Sequence, residues 1–184
     1  MSETISNLEW ALRYWDHGWQ IFPCENKVPL TDALEAWEYK WKWLQTERVE
    51  RRIVEWWWTK WPEAQIALAC GPLSGVTVVD CDWLKDENKK ILHEKSIDPG
   101  ILAQRIPDTP QSWTGTKGKH IFLKFVNVDN SSHTVHEQID IRSDGGYVIL
   151  PPSLNPETQQ HYSWDESCPW DSELKAMPDC LLAK

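Results

Sequence analysis

Two aspartates close a run of β-branched apolar residues, Val76-Thr77-Val78-Val79-Asp80-Cys81-Asp82. Side chains two apart on a strand share a face, so Asp80 and Asp82 project together, with Cα atoms about 6.6 Å apart, and Cys81 points away from both. Carboxylates that close repel each other unless a cation sits between them, and hard oxygen ligands on a rigid strand suit Mg²⁺ or Mn²⁺. Further along, Gly115-Thr116-Lys117-Gly118-Lys119 leads into His120, and Ile139-Asp140-Ile141-Arg142 sets a third acid and an arginine on one face, opposite two isoleucines. Acids facing inward from apolar strands are costly to bury alone, and one or two divalent ions shared by Asp80, Asp82 and Asp140 would meet that cost. His120, Arg142, Lys117, Lys119 and the backbone N–H groups of 115–119 make a set of cations and donors suited to an anionic triphosphate. Together these are the components of two-metal phosphoryl transfer. Plainer roles stay open: Asp140 paired with Arg142, and His120 as a structural residue after a glycine turn.

The elements that must carry these groups follow from hydrophobic period and punctuation. Ser6 with Glu9 three residues on makes a capping box, Leu8, Ala11, Leu12 and Trp15 follow at helical spacing, and Gly18 ends the helix. Residues 19–22 read as a strand stopped by Pro23, and 24–32 as a loop. Residues 33–45 fit a helical stripe through Leu34, Trp37, Trp41 and Leu44, and also alternate as Trp37, Tyr39, Trp41, Trp43, so an irregular or helical stretch is expected. Lys40 and Lys42 lie among those aromatics, which makes Trp41 and Lys42 a candidate template contact, with ordinary amphipathic packing as the alternative. Thr46 caps an expected helix that buries Val49, Ile53, Trp56 and Trp57 and stops at Pro62. Its Arg48, Arg51 and Arg52 interleave with Glu47, Glu50 and Glu55, as on a solvated face.

Residues 65–70 and 76–82 are expected to form a hairpin across 71–75, and 84–95 a polar helix. Residues 96–110 read as a loop with a short helical turn. A second hairpin is expected from 111–116 and 120–126, with Ile121, Leu123 and Phe125 on one face and His120, Phe122 and Lys124 on the other. Residues 127–137 read as a polar connector, and 139–142 and 146–150 as strands joined through Ser143-Asp144-Gly145-Gly146. The tail offers Tyr162, Trp164 and Trp170 as packing anchors and an apolar turn at 177–182.

Bulk composition narrows the function class. The chain has 184 residues, 41% hydrophobic and 26% charged, enough for a single domain over 1–184 with a real core. No run approaches the roughly 20 apolar residues of a membrane span, and residues 1–7 are polar, with Glu3 where a signal peptide would be basic. A cytoplasmic protein without a membrane partner is expected. Five cysteines with no Cys-x-x-Cys spacing argue against a zinc ribbon; they are expected to be reduced, Cys70 and Cys81 as small core residues. A net charge of −9 excludes a surface coated in positive charge for nucleic acid but leaves room for a local basic channel. The 14 tryptophans offer base-stacking platforms, worth about 1–3 kcal/mol per base, or, more plainly, core filling.

The order Asp80-Cys81-Asp82, then Gly118-Lys119-His120, then Ile139-Asp140 resembles the three motifs of the archaeo-eukaryotic primase superfamily and, more narrowly, is similar to the bifunctional primase–polymerase (prim-pol) domains of plasmids, phages and other mobile elements. The likeness extends over nearly the whole chain, through Gly18-Trp19 to Phe22-Pro23, Lys27-Val28-Pro29, Trp56-Trp57 to Trp61-Pro62, Thr114-Gly115, and Gly145-Gly146-Tyr147-Val148 to Pro151-Pro152-Ser153. It implies an α+β fold, with a modified RNA-recognition-like sheet, flanking helices and a central catalytic cleft. It also implies a nucleotidyltransferase that copies a single-stranded or primed DNA template from nucleoside triphosphates and, in some relatives, starts chains without a primer. In that family the carboxylates hold two Mg²⁺ or Mn²⁺ ions and the motif histidine contacts the nucleotide's phosphates; the matching positions are Asp80, Asp82, Asp140 and His120. Arg142 and Lys27 are further nucleotide contacts by the same likeness.

This sequence departs from the pattern at Gly118, where the wider superfamily often has serine; Thr116 or backbone N–H groups are the available substitutes. No zinc-binding insertion, accessory helical domain or helicase is visible, so the chain reads as a catalytic core, with a helicase or other replication or defence proteins as implied partners. Two other classes compete: a non-catalytic module binding single strands through a Trp-rich face, and a metal-dependent phosphodiesterase or nicking enzyme.

Overall fold

A computed structural model of the chain describes residues 5–181, apart from 89 and 107. The first helix, α1 (Asn7–Asp16), starts as its capping box dictates: Ser6 Oγ accepts from Glu9 N–H and the Glu9 carboxylate accepts from Ser6 N–H. Strand β1 (Ile21–Glu25) runs through Pro23 instead of stopping there. The short β2 (Val28–Pro29) pairs with β1 only at Cys24 and Glu25, so at Pro23 one side of the strand is an edge where a missing N–H does no harm. A short helix α2 (Thr31–Glu35) and a 3₁₀ turn (Trp41–Gln45) follow.

Helix α3 (Arg51–Lys60) begins later than its sequence suggests, because Thr46 is spent closing the 3₁₀ turn through its N–H to Trp43 O. It buries Ile53, Val54, Trp57 and Trp58, while Trp56 is half-buried.

Strands β3 (Gln65–Ala69) and β4 (Val76–Cys81) are consecutive but do not form the expected hairpin. Apart from one bridge between Gly71 and Val76, the chain passes there from one sheet to another. After β4, residues 84–88 and 90–95 form turns and one isolated bridge, Lys85 to Ile91, instead of the expected helix. The Asp86 carboxylate accepts the backbone N–H groups of Asn88 and Lys90, a local alternative that competes with helix. Helix α4 (Pro99–Gln104) is the short turn expected in 96–110, capped by Asp98. Strands β5 (Gln111–Trp113) and β6 (Lys119–Lys124) make the second expected hairpin. The polar segment expected as a connector holds strand β7 (Ser131–His136), an edge strand with no apolar stripe to announce it. Strands β8 (Ile139–Arg142), β9 (Tyr147–Leu150) and β10 (Ser163–Trp164) complete the set.

Two antiparallel sheets result, one ordered β2-β1-β3-β9 and the other β10-β5-β6-β4-β8-β7. The segment from β8 to β9 is the return crossing between them, laid beside the outward one: Cys70 N–H donates to Gly146 O. Strict alternation along β4 and β6 sorts their side chains between two cores. Val76, Val78 and Phe122 join α1, α2, α3 and the four-stranded sheet in one core. Val79, Cys81, Ile121 and Leu123 join Ile139, Ile141, Ala103 and Met177 in the other. Of the 14 tryptophans, Trp19, Trp57 and Trp58 are fully buried and eight more pack against the first core, so core filling accounts for most of them.

Phe122 ties the sheets together, stacked on Trp19 at 5.6 Å with the rings 11° apart and set against Trp164 at 5.1 Å. Phe122→Ala is expected to lose about 3–5 kcal/mol of unfolding free energy, measured by urea denaturation.

Candidate active site

The alternation that buries Val78 carries Asp80 onto the same face, two residues on, where the first core opens into a cleft between the sheets. Pairing register supplies its neighbours: Asp80 lies opposite His120 on β6 and opposite Asp140 on β8, and His120 lies opposite Ser112 on β5. Four polar side chains thus form one row across four strands. Asp82 follows β4 and is pinned through its backbone: its N–H donates to Gln138 O, and its carbonyl accepts from Gln138 Nε2.

Asp80 and Asp82 form a wall between two cavities. The first, about 490 Å³, is lined by cations and donors (Lys27, Lys85, Thr114, Thr116, His120 and Arg142) and by Tyr147, Asn155 and Tyr162. The second, about 430 Å³, is acidic, with Asp140 and Glu137 joining the two aspartates beside Lys85 and Gln138. His120 Nε2 stands 3.4 Å from Asp80 Oδ1, and Arg142 Nη2 2.6 Å from Asp140 Oδ2. Burial pushes the Asp80 carboxyl up, but His120, Arg142 and Lys27 outweigh it and leave the group below the ordinary aspartate value. Asp82 goes the other way: crowding in the cleft and the charge of Asp80 raise it, and Lys85, His120 and Lys27 offset this only in part. Its side chain faces the cleft's water, which tempers the shift. Cys81 between them faces the second core, and burial with the nearby acids pushes its thiol up to about 12, so it is no competing ligand.

Among the described residues no three or more His, Cys, Asp and Glu side chains form a preformed metal cage. The donor set nonetheless fits a divalent cation. Four carboxylates, those of Asp80, Asp82, Glu137 and Asp140, line one acidic cavity, and the repulsion from Asp80 that adds to burial in raising Asp82 is what a hard cation relieves.

The structure gathers Asp80, Asp82, Asp140, His120, Arg142, Thr116 and Lys27 around these cavities, Lys27 Nζ also reaching Glu157 at 3.0 Å. It does not bring Lys119 there. Alternation on β6 turns Lys119 to the opposite face from His120, where it is buried against Asp165 Oδ2 at 2.5 Å, Gln111 Oε1 at 2.9 Å and the Trp113 ring. Lys117 is exposed, at a φ of +71°, and does not line the cavities. Trp41 packs on Tyr147 at 5.0 Å and Phe22 at 5.6 Å and also lines an apolar groove, while Lys42 is exposed. The exposed aromatic beside a lysine in that groove is Trp43, 44% exposed with Lys40 Nζ 5.6 Å from its ring.

Gly118 is explained by crowding. A Cβ there would sit 2.6 Å from Asp82 Oδ1, 2.8 Å from Thr114 Oγ1 and 2.9 Å from Cys81 O. The hydroxyls present are those of Thr114 and Thr116, 2.9 Å apart in the first cavity. Thr114, quoted only as part of the family likeness, Tyr162, expected only as a packing anchor, and Gln138 and Asn155 were not expected at the site, because no spacing rule links them to the acids; only the two-sheet packing does.

The family model of the bifunctional DNA primase/polymerase N-terminal domain matches residues 11–180. The chain belongs to the Prim-Pol family. No curated protein matches it. Prim-Pol membership implies a nucleotidyltransferase working with a DNA template and nucleotide substrates, and such domains are typically dependent on a divalent metal. No helix among the described residues of this Prim-Pol domain is long and apolar enough to cross a membrane.

Gly118→Ala is expected to displace Asp82 and lower nucleotide incorporation on a primed template by about tenfold or more, with the fold retained by circular dichroism. The Lys119–Asp165 pair makes a separate prediction. Burial works against the Asp165 charge, but Lys119 and Ser167 hold its carboxyl below the ordinary value of 3.8. The pair therefore contributes stability above that pH, and the contribution is lost as pH falls through the lower folded value. Asp165→Asn is expected to cost about 2 kcal/mol at pH 7, a gap that closes in acid denaturation series below pH 3.8.

Proposed function

We propose that this chain is a template-directed DNA primase–polymerase core with the archaeo-eukaryotic primase fold, extending a 3′ end by nucleotidyl transfer. The observation that carries the reading is the row Asp140–Asp80–His120, with Asp82 beside it, separating a cation-lined cavity from an acidic one. Asp80, Asp82 and Asp140 would hold one or two Mg²⁺ or Mn²⁺ ions; when bound, these supply Lewis-acid stabilisation of the phosphoryl group and a lower pKa for the attacking hydroxyl.

His120, Arg142, Lys27 and the Thr114–Thr116 hydroxyl pair bind the triphosphate in the first cavity, where paired charges and donors suit phosphate oxygens. Gln138 fixes the backbone of Asp82 and so orients its carboxylate. The acidic cavity beyond the aspartates receives the 3′ end. The 3′-hydroxyl gives its proton to solvent as its oxygen forms a bond to the α-phosphorus, the bond from that phosphorus to the bridging oxygen breaks, and pyrophosphate leaves into the cationic side. The rigid floor of Val78 and Phe122 beneath the row keeps the acids aligned. Single-stranded template is met at the neighbouring groove through Trp43 and Lys40, with Trp41 as its packed wall.

Purified protein with a primed template, Mn²⁺ and nucleoside triphosphates tests this. Extension is expected from the wild type and is expected to vanish in Asp80→Ala and in Asp82→Ala, with melting temperatures showing both variants folded. Undiminished extension in either variant overturns the assignment of the acids, and template binding without incorporation by the wild type favours a binding module.

A further inference from the structure

Two buried polar atoms on adjacent strands have no hydrogen-bond partner: Ser112 Oγ and His120 Nδ1. Orphaned buried groups are uncommon and costly, so a pair at one level of a sheet calls for an explanation. The two residues are directly opposite each other in the β5–β6 ladder. Residues so paired project from the same face, with Cβ atoms about 4.5–5.5 Å apart. Ser112 is fully buried and His120 is 5% exposed, so bulk water serves neither.

Each group lacks what the other has. A neutral imidazole carries one donor and one acceptor nitrogen, and a hydroxyl can donate or accept. On the other side of the ring Nε2 faces the Asp80 carboxylate oxygen at 3.4 Å, and an ionised carboxylate only accepts. A hydrogen on Nε2 is therefore favoured, which leaves Nδ1 as an acceptor in a sealed interior. The Ser112 hydroxyl swings on one rotatable bond and is the donor that the pairing register brings to it. Tyr162 and Phe122 flank the imidazole at 5.9 and 6.3 Å and hold the ring by packing, but their rings select no tautomer.

We propose that Ser112 is a positioning residue of the site. Its hydroxyl donates to His120 Nδ1, fixes the Nε2–H tautomer, and keeps that hydrogen aimed at the Asp80 side of the cleft, where a phosphate oxygen is to be met. The inference rests on the nucleotide-binding reading of the first cavity for its consequence, but not for its chemistry. Ser112 itself touches neither substrate nor metal. It also serves the protonated ring, since Oγ then accepts from Nδ1–H.

The test uses the full chain carrying ¹⁵N-labelled histidine, without nucleotide or metal, with the His120 signals identified by their loss in His120→Asn. Wild type and Ser112→Thr are expected to show the Nε2–H tautomer, and Ser112→Ala a mixture of both. In primer extension Ser112→Ala is expected to raise the nucleotide KM about three- to tenfold, the size of one neutral hydrogen bond, with Ser112→Thr restoring it. An unchanged imidazole spectrum in folded Ser112→Ala overturns the proposal whatever the activity. A wild type that incorporates no nucleotide sinks the functional reading instead, and the spectrum still decides on Ser112.

Discussion

Like charges held at close quarters on one strand are the constraint on which this molecule turns. Asp80 and Asp82 share a face at the end of β4 and are displaced in opposite directions: burial and the charge of Asp80 push Asp82 above the ordinary carboxylate value, while His120, Arg142 and Lys27 overcome burial and draw Asp80 below it. Such a pair persists only where the surroundings supply positive charge and a backbone that does not yield. Arg142, Lys27 and Lys85 supply the first, with His120 beside Asp80 as a hydrogen-bonding neighbour. The second comes from an interior strand, bonded on one side to β6 and on the other to β8.

The two-sheet arrangement turns that pair into a site. Both crossings between the sheets, at 71–75 and 143–146, run beside each other, so β4 and β8 enter one sheet where β3 and β9 belong to the other. The cleft opens along that seam. Its floor is apolar because Val78 and Phe122 belong to the first core, and its rim is polar because the same alternation places Asp80 and His120 one step further along. Fold and chemistry share one period-two pattern.

The motif residues were legible in the sequence because they sit at strand positions where alternation fixes direction: Asp80, His120 and Asp140 converge, and Cys81 turns away. Lys119 follows the same rule to the opposite outcome, since one residue of offset from His120 sends it through the sheet to Asp165. The hairpin expected from 65–70 and 76–82 was illegible because a glycine-rich turn looks alike whether the chain reverses within a sheet or leaves it. The helix expected at 84–95 lost to the side-chain turn at Asp86, and β7 is an edge strand whose polar residues give no core signal. Gln138 and Asn155 reach the cleft through long-range hydrogen bonds, and Ser112 is set opposite His120 by register, neither of which a spacing in the sequence records.

The Prim-Pol match over residues 11–180 gives the reaction class, and the charge arranged on either side of Asp80 and Asp82 is what the proposed site rests on. The most direct test is anomalous scattering from crystals grown with Mn²⁺ and a non-hydrolysable nucleoside triphosphate. The account predicts manganese peaks against the carboxylates of Asp80, Asp82 and Asp140, with the phosphates on the His120 and Arg142 side. Manganese bound elsewhere, with this cleft empty of both metal and nucleotide, would contradict it.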